Sequence, residues 1–376
     1  MRILVFGSDP AILNSSSSVA QRAIDASIGI DKYSVIVPNY SDVIKQHQEN
    51  LWIYGVNAKN KIVASYKIYR LANQLLKKEK FDLITTPDAY YLALAGWLLT
   101  RKNKIKLEVQ IHGFEKFFGL RKLIAKFVLP RADAVRVVSE RLRRMMVREF
   151  GVVNDKITVV PVFSPPYINN DNSNQPAAER QAGKFVFLTV SRLVSIKNIP
   201  LQIEAMAEMV KDFPQAELWL TGDGPEKDHL TEQINQLNLT HKVKLLGHKN
   251  REELDVLYRQ ADVFLLTSLA EGWPIVIMEA ARYGLPIIMT DVGSAGELII
   301  NQKSGLVIPI NDKQKLISQM KLLIVNQELR ELIGRGALKA VNSMPNKEEI
   351  IRLYQLGWQR AVADKIAVAG SVEKQN

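Results

Sequence analysis

Residues 263–286 read Val263-Phe-Leu-Leu-Thr-Ser-Leu-Ala-Glu271-Gly-Trp-Pro-Ile-Val-Ile-Met-Glu279-Ala-Ala-Arg-Tyr-Gly-Leu-Pro286. The first four residues are apolar and predict a buried strand, and the apolar spacing from Ile275 onward predicts a helix. We place Pro274 at the first helical position, where the missing N–H of proline has no cost. A strand that leads through a short loop into a helix is typical of a parallel α/β sheet.

The start of this helix is a candidate site for an anion. Backbone N–H groups from Gly272 onward have no partner within the helix and attract phosphate, and a glycine lets a ligand approach the backbone. Glu271 is expected on an exposed loop ahead of the site, and Glu279 lies one to two turns into the helix. This arrangement suits a sugar nucleotide, because one carboxylate can bind sugar hydroxyls and the other a ribose diol. The alternative interpretation is a helix cap followed by a surface glutamate.

The same alternation of short apolar runs and helical spacing continues through the chain. It is interrupted by a segment rich in Pro, Asn and Ser, which predicts a linker at residues 166–183. We therefore expect two doubly wound α/β domains, residues 1–165 and 184–345, with ligands in a cleft between them. Residues 346–376 are expected to form a final helix that packs back on the first domain, followed by a frayed tail.

Charge is distributed unevenly over the 376 residues. The net charge is +11, and the whole excess lies in residues 1–165, which contain 26 basic and 14 acidic residues. Such an asymmetry predicts a polyanionic partner for the first domain, either a membrane surface or a nucleic acid. The chain contains no cysteine, which excludes disulfides and thiolate metal sites. With no signal peptide and no long apolar run, we expect a cytoplasmic protein.

One segment of the first domain, residues 114–130, has the pattern of an interfacial helix. Its apolar residues recur at helical spacing, and four basic side chains are expected to face a membrane, namely Lys116, Arg121, Lys122 and Lys126. The alternative is a core helix whose polar face is basic, since almost every surface helix is amphipathic.

Several motifs together resemble the retaining glycosyltransferases of family 4. In the second domain these are the two glutamates separated by seven residues, Ser191-Arg-Leu-Val-Ser-Ile-Lys197-Asn198, Leu218-Trp-Leu-Thr-Gly-Asp-Gly224-Pro and Thr290-Asp-Val-Gly-Ser-Ala-Gly-Glu297. In the first domain they are Gln110-Ile-His-Gly113 and Ala132-Asp-Ala-Val-Arg-Val-Val-Ser139. The resemblance covers roughly residues 80–345 and implies the GT-B fold, two Rossmann-like domains that face each other across a cleft.

The resemblance also implies roles for individual residues. It makes Glu271, His112, Arg192 and Lys197 the catalytic residues. It places the donor in contact with Arg192, Lys197, Gly272, Trp273, Pro274, Ile275 and Glu279. Arg192 and Lys197 would hold the diphosphate and stabilise the negative charge of the leaving group. Glu271 would bind the sugar hydroxyls, Glu279 the ribose, and His112 would contact the donor sugar.

The implied reaction is the transfer of a sugar from a nucleotide-sugar donor, such as a UDP- or GDP-sugar, with retention of configuration. The acceptor would be a lipid-linked or polysaccharide precursor of the cell envelope, which places the protein in the cytoplasm or on the inner membrane face. We expect no cofactor and no metal, because the chain contains no Asp-x-Asp motif. Two alternatives remain: a nucleotide-sugar epimerase of the same fold, and a nucleic-acid-binding protein that uses the basic half.

The chain departs from the family pattern at three places: the loop after the first strand, the Pro-Asn-Gly turn, which is replaced by Pro161-Val-Phe-Ser, and Ser191, which replaces the usual Gly. The family often has a Gly-Gly loop after the first strand, whereas this sequence reads Gly7-Ser-Asp-Pro10 followed by Asn14 and four serines. Such a hydroxyl-rich segment can contact a phosphate or an acceptor.

Overall fold

The computed structural model describes residues 1–113, 117–163 and 183–363. Lys116, nearly all of the expected linker and the expected tail after residue 363 lie outside these ranges. The chain divides into two units. The first comprises Met1–Pro161 and the described part of Asn346–Asn376, and the second comprises Val162–Pro345.

The first unit is built on an eight-stranded sheet in the order β3-β4-β2-β1-β5-β6-β7-β8. All pairings are parallel except that of β3 with β4, which is antiparallel. The strands are β1 (Arg2–Phe6), β2 (Lys32–Asn39), β3 (Val43–Gln48), β4 (Leu51–Asn57), β5 (Leu83–Thr86), β6 (Lys106–Ile111), β7 (Ala134–Val137) and β8 (Ile157–Val159).

Five helices of the first unit connect these strands: α1 (Ser18–Ser27), α2 (Lys61–Lys78), α3 (Tyr91–Asn103), α4 (Gly119–Val128) and α5 (Glu140–Phe150). Three of them begin at a residue whose side chain accepts a hydrogen bond from the first helical turn, which satisfies a backbone N–H that has no partner within the helix. These caps are Ser17 for α1, Asn60 for α2 and Ser139 for α5.

The hairpin of β3 and β4 is a difference from the parallel sheet that the sequence predicts. β4 is a buried central strand that contains Gly55, whereas β3 is an edge strand with mostly exposed polar side chains. A polar edge strand has no apolar alternation, and a glycine inside a strand weakens its signal, so neither strand was expected. The first sheet is therefore mixed at one edge.

The second unit is a six-stranded, wholly parallel sheet in the order β11-β10-β9-β12-β13-β14. Its strands are β9 (Phe185–Val190), β10 (Ala216–Thr221), β11 (Val243–Gly247), β12 (Val263–Leu266), β13 (Ile287–Thr290) and β14 (Leu306–Ile308). Its helices are α6 (Ile199–Asp212), α7 (Lys227–Gln236), α8 (Arg251–Gln260), α9 (Ile275–Arg282), α10 (Lys313–Val325) and α11 (Gln327–Asn342).

Both sheets reverse their strand order at one place. In the first unit the reversal lies between β1 and β5, and in the second between β9 and β12. Loops that leave the carboxyl ends of strands diverge at such a point, and the crevice between them is where α/β sheets bind ligands. The loop after β9 contains Arg192 and Lys197, and the loop after β12 contains Glu271.

The last described helix, α12 (Lys347–Val362), belongs to the first unit and packs against β6 and β7. Its Trp358 is buried, and Nε1 donates a hydrogen bond to Oε2 of Glu108 over 3.0 Å. Glu108 is itself buried on β6, where it also accepts from Thr85 Oγ1 over 2.5 Å and lies 3.5 Å from Nε of Arg136. A buried carboxyl group needs such partners, so the final helix completes the polar interior of the first unit.

The Trp358→Phe substitution should lower the free energy of unfolding by about 1–3 kcal/mol, because it leaves Glu108 with one donor fewer in a buried site. Trp219→Phe is the matched control. Trp219 Nε1 donates to Glu217 over 2.9 Å, and that carboxylate keeps ion pairs with Lys244 at 2.7 Å and Lys184 at 3.2 Å. Urea unfolding should show the larger loss for Trp358→Phe. An equal or smaller loss would contradict a stabilising role for its indole N–H.

Candidate active site

Lys197 and Glu271 form an ion pair at the point where the second sheet reverses its strand order. Lys197 Nζ donates to Oε1 of Glu271 over 2.5 Å, and Ser268 Oγ donates to the same oxygen over 2.6 Å. The Glu271 side chain is 1% exposed and that of Lys197 17% exposed. Oε2 of Glu271 has no hydrogen-bond partner among the described residues. One carboxylate oxygen is thus held by the protein, and the other remains available as an acceptor.

Hydrogen bonds join the two loops that carry this pair. Thr267 Oγ1 donates to the carbonyl oxygens of Lys197 and Asn198 over 3.2 and 3.1 Å. The backbone N–H of Leu269 donates to Ile196 O over 2.8 Å. Beneath them, the buried amide of Gln202 on α6 donates to Thr267 Oγ1 over 2.8 Å. These bonds orient the ion pair before any ligand is present.

Arg192 lies on the same loop as Lys197 but reaches solvent. Its side chain is exposed and makes no hydrogen bond or ion pair with any residue in the described ranges. The backbone of Gly222 packs against this loop. Its φ is +128°, and a Cβ atom there would lie 1.8 Å from Ser191 O. Only glycine fits such a position. The turn after β10 therefore supports an arginine that is free to bind an anion.

Two expectations about the Glu271 loop are wrong. Glu271 was expected to be exposed, whereas its side chain is buried because Lys197 and Ser268 draw the carboxylate inward. Pro274 was placed at the first helical position, whereas it is the N-cap of α9, and Ile275 is the first helical residue. Pro274 still has no N–H to lose, and its ring packs against Gly293, where a Cβ atom would approach it to 2.8 Å.

The other expected donor-binding residues occupy the start of α9. Gly272, Trp273 and Pro274 are buried, and Ile275 is 38% exposed. The indole N–H of Trp273 points to the sulfur of Met278 at 3.2 Å, so this ring is held within the protein. Glu279 lies in the second turn of the helix and is buried, which agrees with its expected place on α9.

Sequence reasoning missed two residues that hold the glutamates. Ser268 donates to Glu271, and Tyr258 on α8 donates from its hydroxyl to Oε2 of Glu279 over 2.8 Å. Ser268 could have been found, because it lies three residues before Glu271 on the same loop. Tyr258 gives no such signal, since a tyrosine on the buried side of an amphipathic helix is usually a core residue.

His112 follows β6 in the first unit, so it belongs to a different unit from the other expected catalytic residues. Part of its side chain is accessible to solvent, but crowding by protein atoms removes hydration and is the main reason that its pKa falls to about 4. The positive charges of Arg136 and Arg22 lower the pKa further. The imidazole is therefore neutral at pH 7, with one nitrogen that can donate a hydrogen bond and one that can accept.

α4 exposes apolar side chains next to its basic ones. Phe118, Leu120 and Leu123 are each more than 60% exposed, and Phe127 is 38% exposed. Of the basic residues expected to face a membrane, Arg121, Lys122 and Lys126 lie on this helix. No helix among the described residues is long and apolar enough to cross a bilayer. The exposed apolar side chains distinguish α4 from an ordinary core helix, whose apolar face would be covered.

Solved structures with this architecture are glycosyltransferases of the GT-B class. Sucrose-phosphate synthase from Thermosynechococcus elongatus superimposes with a TM-score of 0.77 at 19% identity, over 96% of this chain and 99% of that one. The Anabaena protein HepE, solved in complex with UDP, superimposes with a TM-score of 0.72 at 20% identity, over 95% and 98% of the two chains. Two parallel-sheet α/β domains, the expected fold class, are thereby confirmed.

The chain belongs to glycosyltransferase family 4. Residues 171–340 match the family described as glycosyl transferases group 1, and residues 31–163 match the one described as glycosyltransferase family 4. A curated relative is the Escherichia coli UDP-Gal:alpha-D-GlcNAc-diphosphoundecaprenol alpha-1,3-galactosyltransferase. It is 27% identical over 301 residues, which are 75% of this chain and 76% of that protein. The protein is a glycosyltransferase, as the motifs indicated, and its family favours sugar transfer over the epimerase and nucleic-acid alternatives.

The low pKa of His112 predicts a titration that NMR of histidine-labelled protein can follow. The His112 ring should titrate with a midpoint near pH 4, well below the usual value of 6.5. Because the folded state disfavours the proton, stability should fall as the pH is lowered from about 6.5 to about 4 and should not depend on this residue above pH 7. Arg22→Gln should raise the midpoint by a fraction of a unit. A midpoint at or above 6.5 in the unchanged protein would contradict the assignment.

Proposed function

We propose that this protein transfers a sugar from a uridine diphosphate sugar to a lipid-linked acceptor at an anionic membrane surface. The single observation that carries the proposal is the contact of 2.5 Å between Lys197 and Glu271. It combines a cation suited to a diphosphate with a carboxylate suited to sugar hydroxyls, at strand ends where such sheets bind ligands. Uridine is preferred because HepE was solved with UDP and with UDP-glucose, and the Escherichia coli relative is named for UDP-Gal.

The proposed roles follow from the charge and the hydrogen-bonding capacity of each side chain. A lysine ammonium carries three donors, so the bond to Glu271 leaves two for phosphate oxygens. Arg192 is exposed and can bind the same diphosphate in a bidentate manner. Oε2 of Glu271 can accept from a sugar hydroxyl, and Glu279 can accept from the ribose. His112, neutral at pH 7, would hydrogen-bond to the donor sugar.

The proposed reaction breaks the bond between the anomeric carbon and the diphosphate oxygen, and forms a bond from that carbon to the acceptor oxygen. The acceptor hydroxyl approaches from the side that the diphosphate leaves, and its proton passes to the departing phosphate oxygen, so that the configuration is retained. Negative charge grows on the diphosphate as the bond breaks. Arg192 and Lys197 stabilise that charge in place, which lowers the barrier.

Binding of the donor can be tested by thermal shift with UDP, UDP-glucose, UDP-galactose, GDP-mannose and ADP-glucose. A nucleotide present at 100 times its dissociation constant adds about 2.7 kcal/mol of stability, and we expect this response from the uridine compounds. Glu279→Gln should abolish it. Tyr258→Phe should weaken UDP binding about tenfold, because it removes a hydrogen bond to a charged group worth about 1.5–3 kcal/mol.

Glu271→Gln tests the catalytic role separately, since the amide keeps the size of the side chain. It should retain the UDP response but lower the transfer rate at least 100-fold. Glu328→Gln, on an exposed turn at the start of α11, is the control and should change neither. A protein that responds to none of the uridine compounds, or a Glu271→Gln variant with full activity, would overturn the proposed function.

The exposed apolar side chains of α4 support the membrane part of the proposal, together with the exposed Lys126 and the half-buried Arg121 and Lys122 beside them. An interfacial helix inserts its apolar side chains at the headgroup boundary while basic side chains contact anionic lipid. Residues 1–165 carry a net charge of +12, with 26 basic and 14 acidic residues, and such a field draws the protein to an anionic surface. The acceptor of the Escherichia coli relative is named as a diphosphoundecaprenol, and a lipid of this kind would be reached at such a surface.

Replacing Arg121, Lys122 and Lys126 with Gln should lower binding to phosphatidylglycerol vesicles at least tenfold, since each basic residue contributes about 1 kcal/mol near an anionic leaflet. The control replaces three exposed lysines at and just beyond the end of α2, Lys77, Lys78 and Lys80, and so changes the charge equally. Vesicle sedimentation at physiological salt should separate the two variants. Equal losses would show that total charge, rather than α4, directs binding.

A further inference from the structure

The surface of the first unit has an open cavity of about 510 Å³, a volume within the range of small-molecule sites. It lies between the short turn Pro10–Leu13, which follows β1, and the edge strand β3. This is the segment where the chain departs from the Gly-Gly loop of its family, and β3 is the strand that the sequence did not predict. None of the donor-binding residues proposed above lines the cavity.

The walls of the cavity are held by the fold itself. His47 on β3 places its Nε2 atom 2.6 Å from the carbonyl oxygen of Ile12, and because a carbonyl can only accept, this nitrogen carries the proton. Leu13 is buried in the core of the unit next to Ile12. Asn14 accepts from the N–H and the hydroxyl of Ser16 over 3.1 and 2.9 Å. The turn and the strand are therefore tied together around the cavity.

The polar groups of the cavity lining that are not bonded within the protein are mainly hydrogen-bond donors. The ammonium of Lys45 makes no ion pair or hydrogen bond with any residue that the structure describes. The amide nitrogen of Asn14 also lacks a bond within those residues, because only its oxygen is used. Ser15 adds a hydroxyl, and no acidic side chain lines the cavity. A cation, the amide nitrogen of Asn14 and a hydroxyl, with no carboxylate in the lining, suit an anion.

Two acidic residues close to the cavity in sequence stabilise backbone turns. Asp9 accepts from the N–H of Ala11 over 2.9 Å, and Asp42 accepts from the N–H of Asn57 over 2.6 Å. Neither of them, nor Glu49 four residues after Lys45, forms an ion pair with Lys45 among the described residues. Asn39, which also lines the cavity, is the last residue of β2, so the cavity opens near the carboxyl ends of β1 and β2.

We infer that this cavity is a phosphate-binding subsite for the acceptor, with Lys45 as the cation that binds a phosphate monoester or diester. The inference rests on the proposed function, because it assigns the cavity to the acceptor of that reaction. Apart from His112, the residues proposed to bind the donor lie in the second unit, so an anion site in the first unit is assigned to the other substrate. The phosphate can belong to a soluble acceptor or to a lipid headgroup, and the chemistry of recognition is the same.

A titration of histidine-labelled protein with sn-glycerol 1-phosphate tests the subsite directly. The ring resonance of His47 should shift in a saturable manner, and uncharged glycerol should have no effect. Lys45→Gln should weaken the response at least tenfold. Lys80→Gln removes the same charge from an exposed position ahead of β5 and should leave the response unchanged. An absent response, or the same affinity in Lys45→Gln as in the unchanged protein, would overturn the inference.

Binding to phosphatidylglycerol vesicles identifies the source of the phosphate. A loss of at least threefold in Lys45→Gln relative to Lys80→Gln supports a lipid headgroup in the cavity. Equal vesicle binding by the two variants, together with the tenfold difference toward glycerol phosphate, supports a soluble phosphorylated acceptor.

The donor site provides a separate readout. Lys45→Gln should keep the thermal response to UDP, since Lys197 and Glu279 are unaltered. If the unchanged protein bound glycerol phosphate through Lys45 but gave no response to UDP, the proposed function would fail while the anion site remained. If it responded to UDP but not to glycerol phosphate, only the subsite would fail.

Discussion

The ion pair of Lys197 and Glu271 imposes the main constraint on the second unit. Both residues lie on loops that follow parallel strands, and they meet only because β9 and β12 are neighbours at the place where the strand order reverses. A partly buried pair of charges must be well oriented and hydrogen-bonded to offset the loss of hydration. Ser268 and the loop-to-loop bonds of Thr267 supply that orientation.

Much of the surrounding structure serves to hold these loops in place. The turn after β10 approaches the backbone of Ser191 so closely that Gly222 is required there, and Gly293 after β13 packs in the same way against Pro274. The turn after β10 thus packs against the loop that follows β9, and the turn after β13 packs against the loop that follows β12. Preorganised polar groups of this kind need no rearrangement when charge develops on a substrate, and the electrostatic stabilisation they give is usually the largest single contribution to catalysis.

The sequence was informative wherever a residue's role depends on its immediate neighbours. Short apolar runs predicted every strand of the two sheets except β3 and β4, and the spacing of Glu271, Gly272 and Glu279 predicted a loop followed by a helix, which α9 confirms. Contacts between distant segments left no such pattern. Glu271 is buried because Lys197, 74 residues earlier, draws its carboxylate inward. Tyr258 meets Glu279 only because α8 and α9, which precede and follow β12, lie next to each other in the folded unit.

The β3–β4 hairpin illustrates the same limit in the first unit. Lys45 and His47 look like surface residues of a polar segment, and they acquire a common cavity only when β3 pairs with β4 and His47 bonds to the turn after β1. The two units thus differ in how they present positive charge. Lys197 is already paired with a carboxylate, so an anion gains less free energy there than beside an unpaired cation. Lys45 and the basic side chains of α4 form no ion pair within the described residues, and their charge is therefore left for an anionic partner.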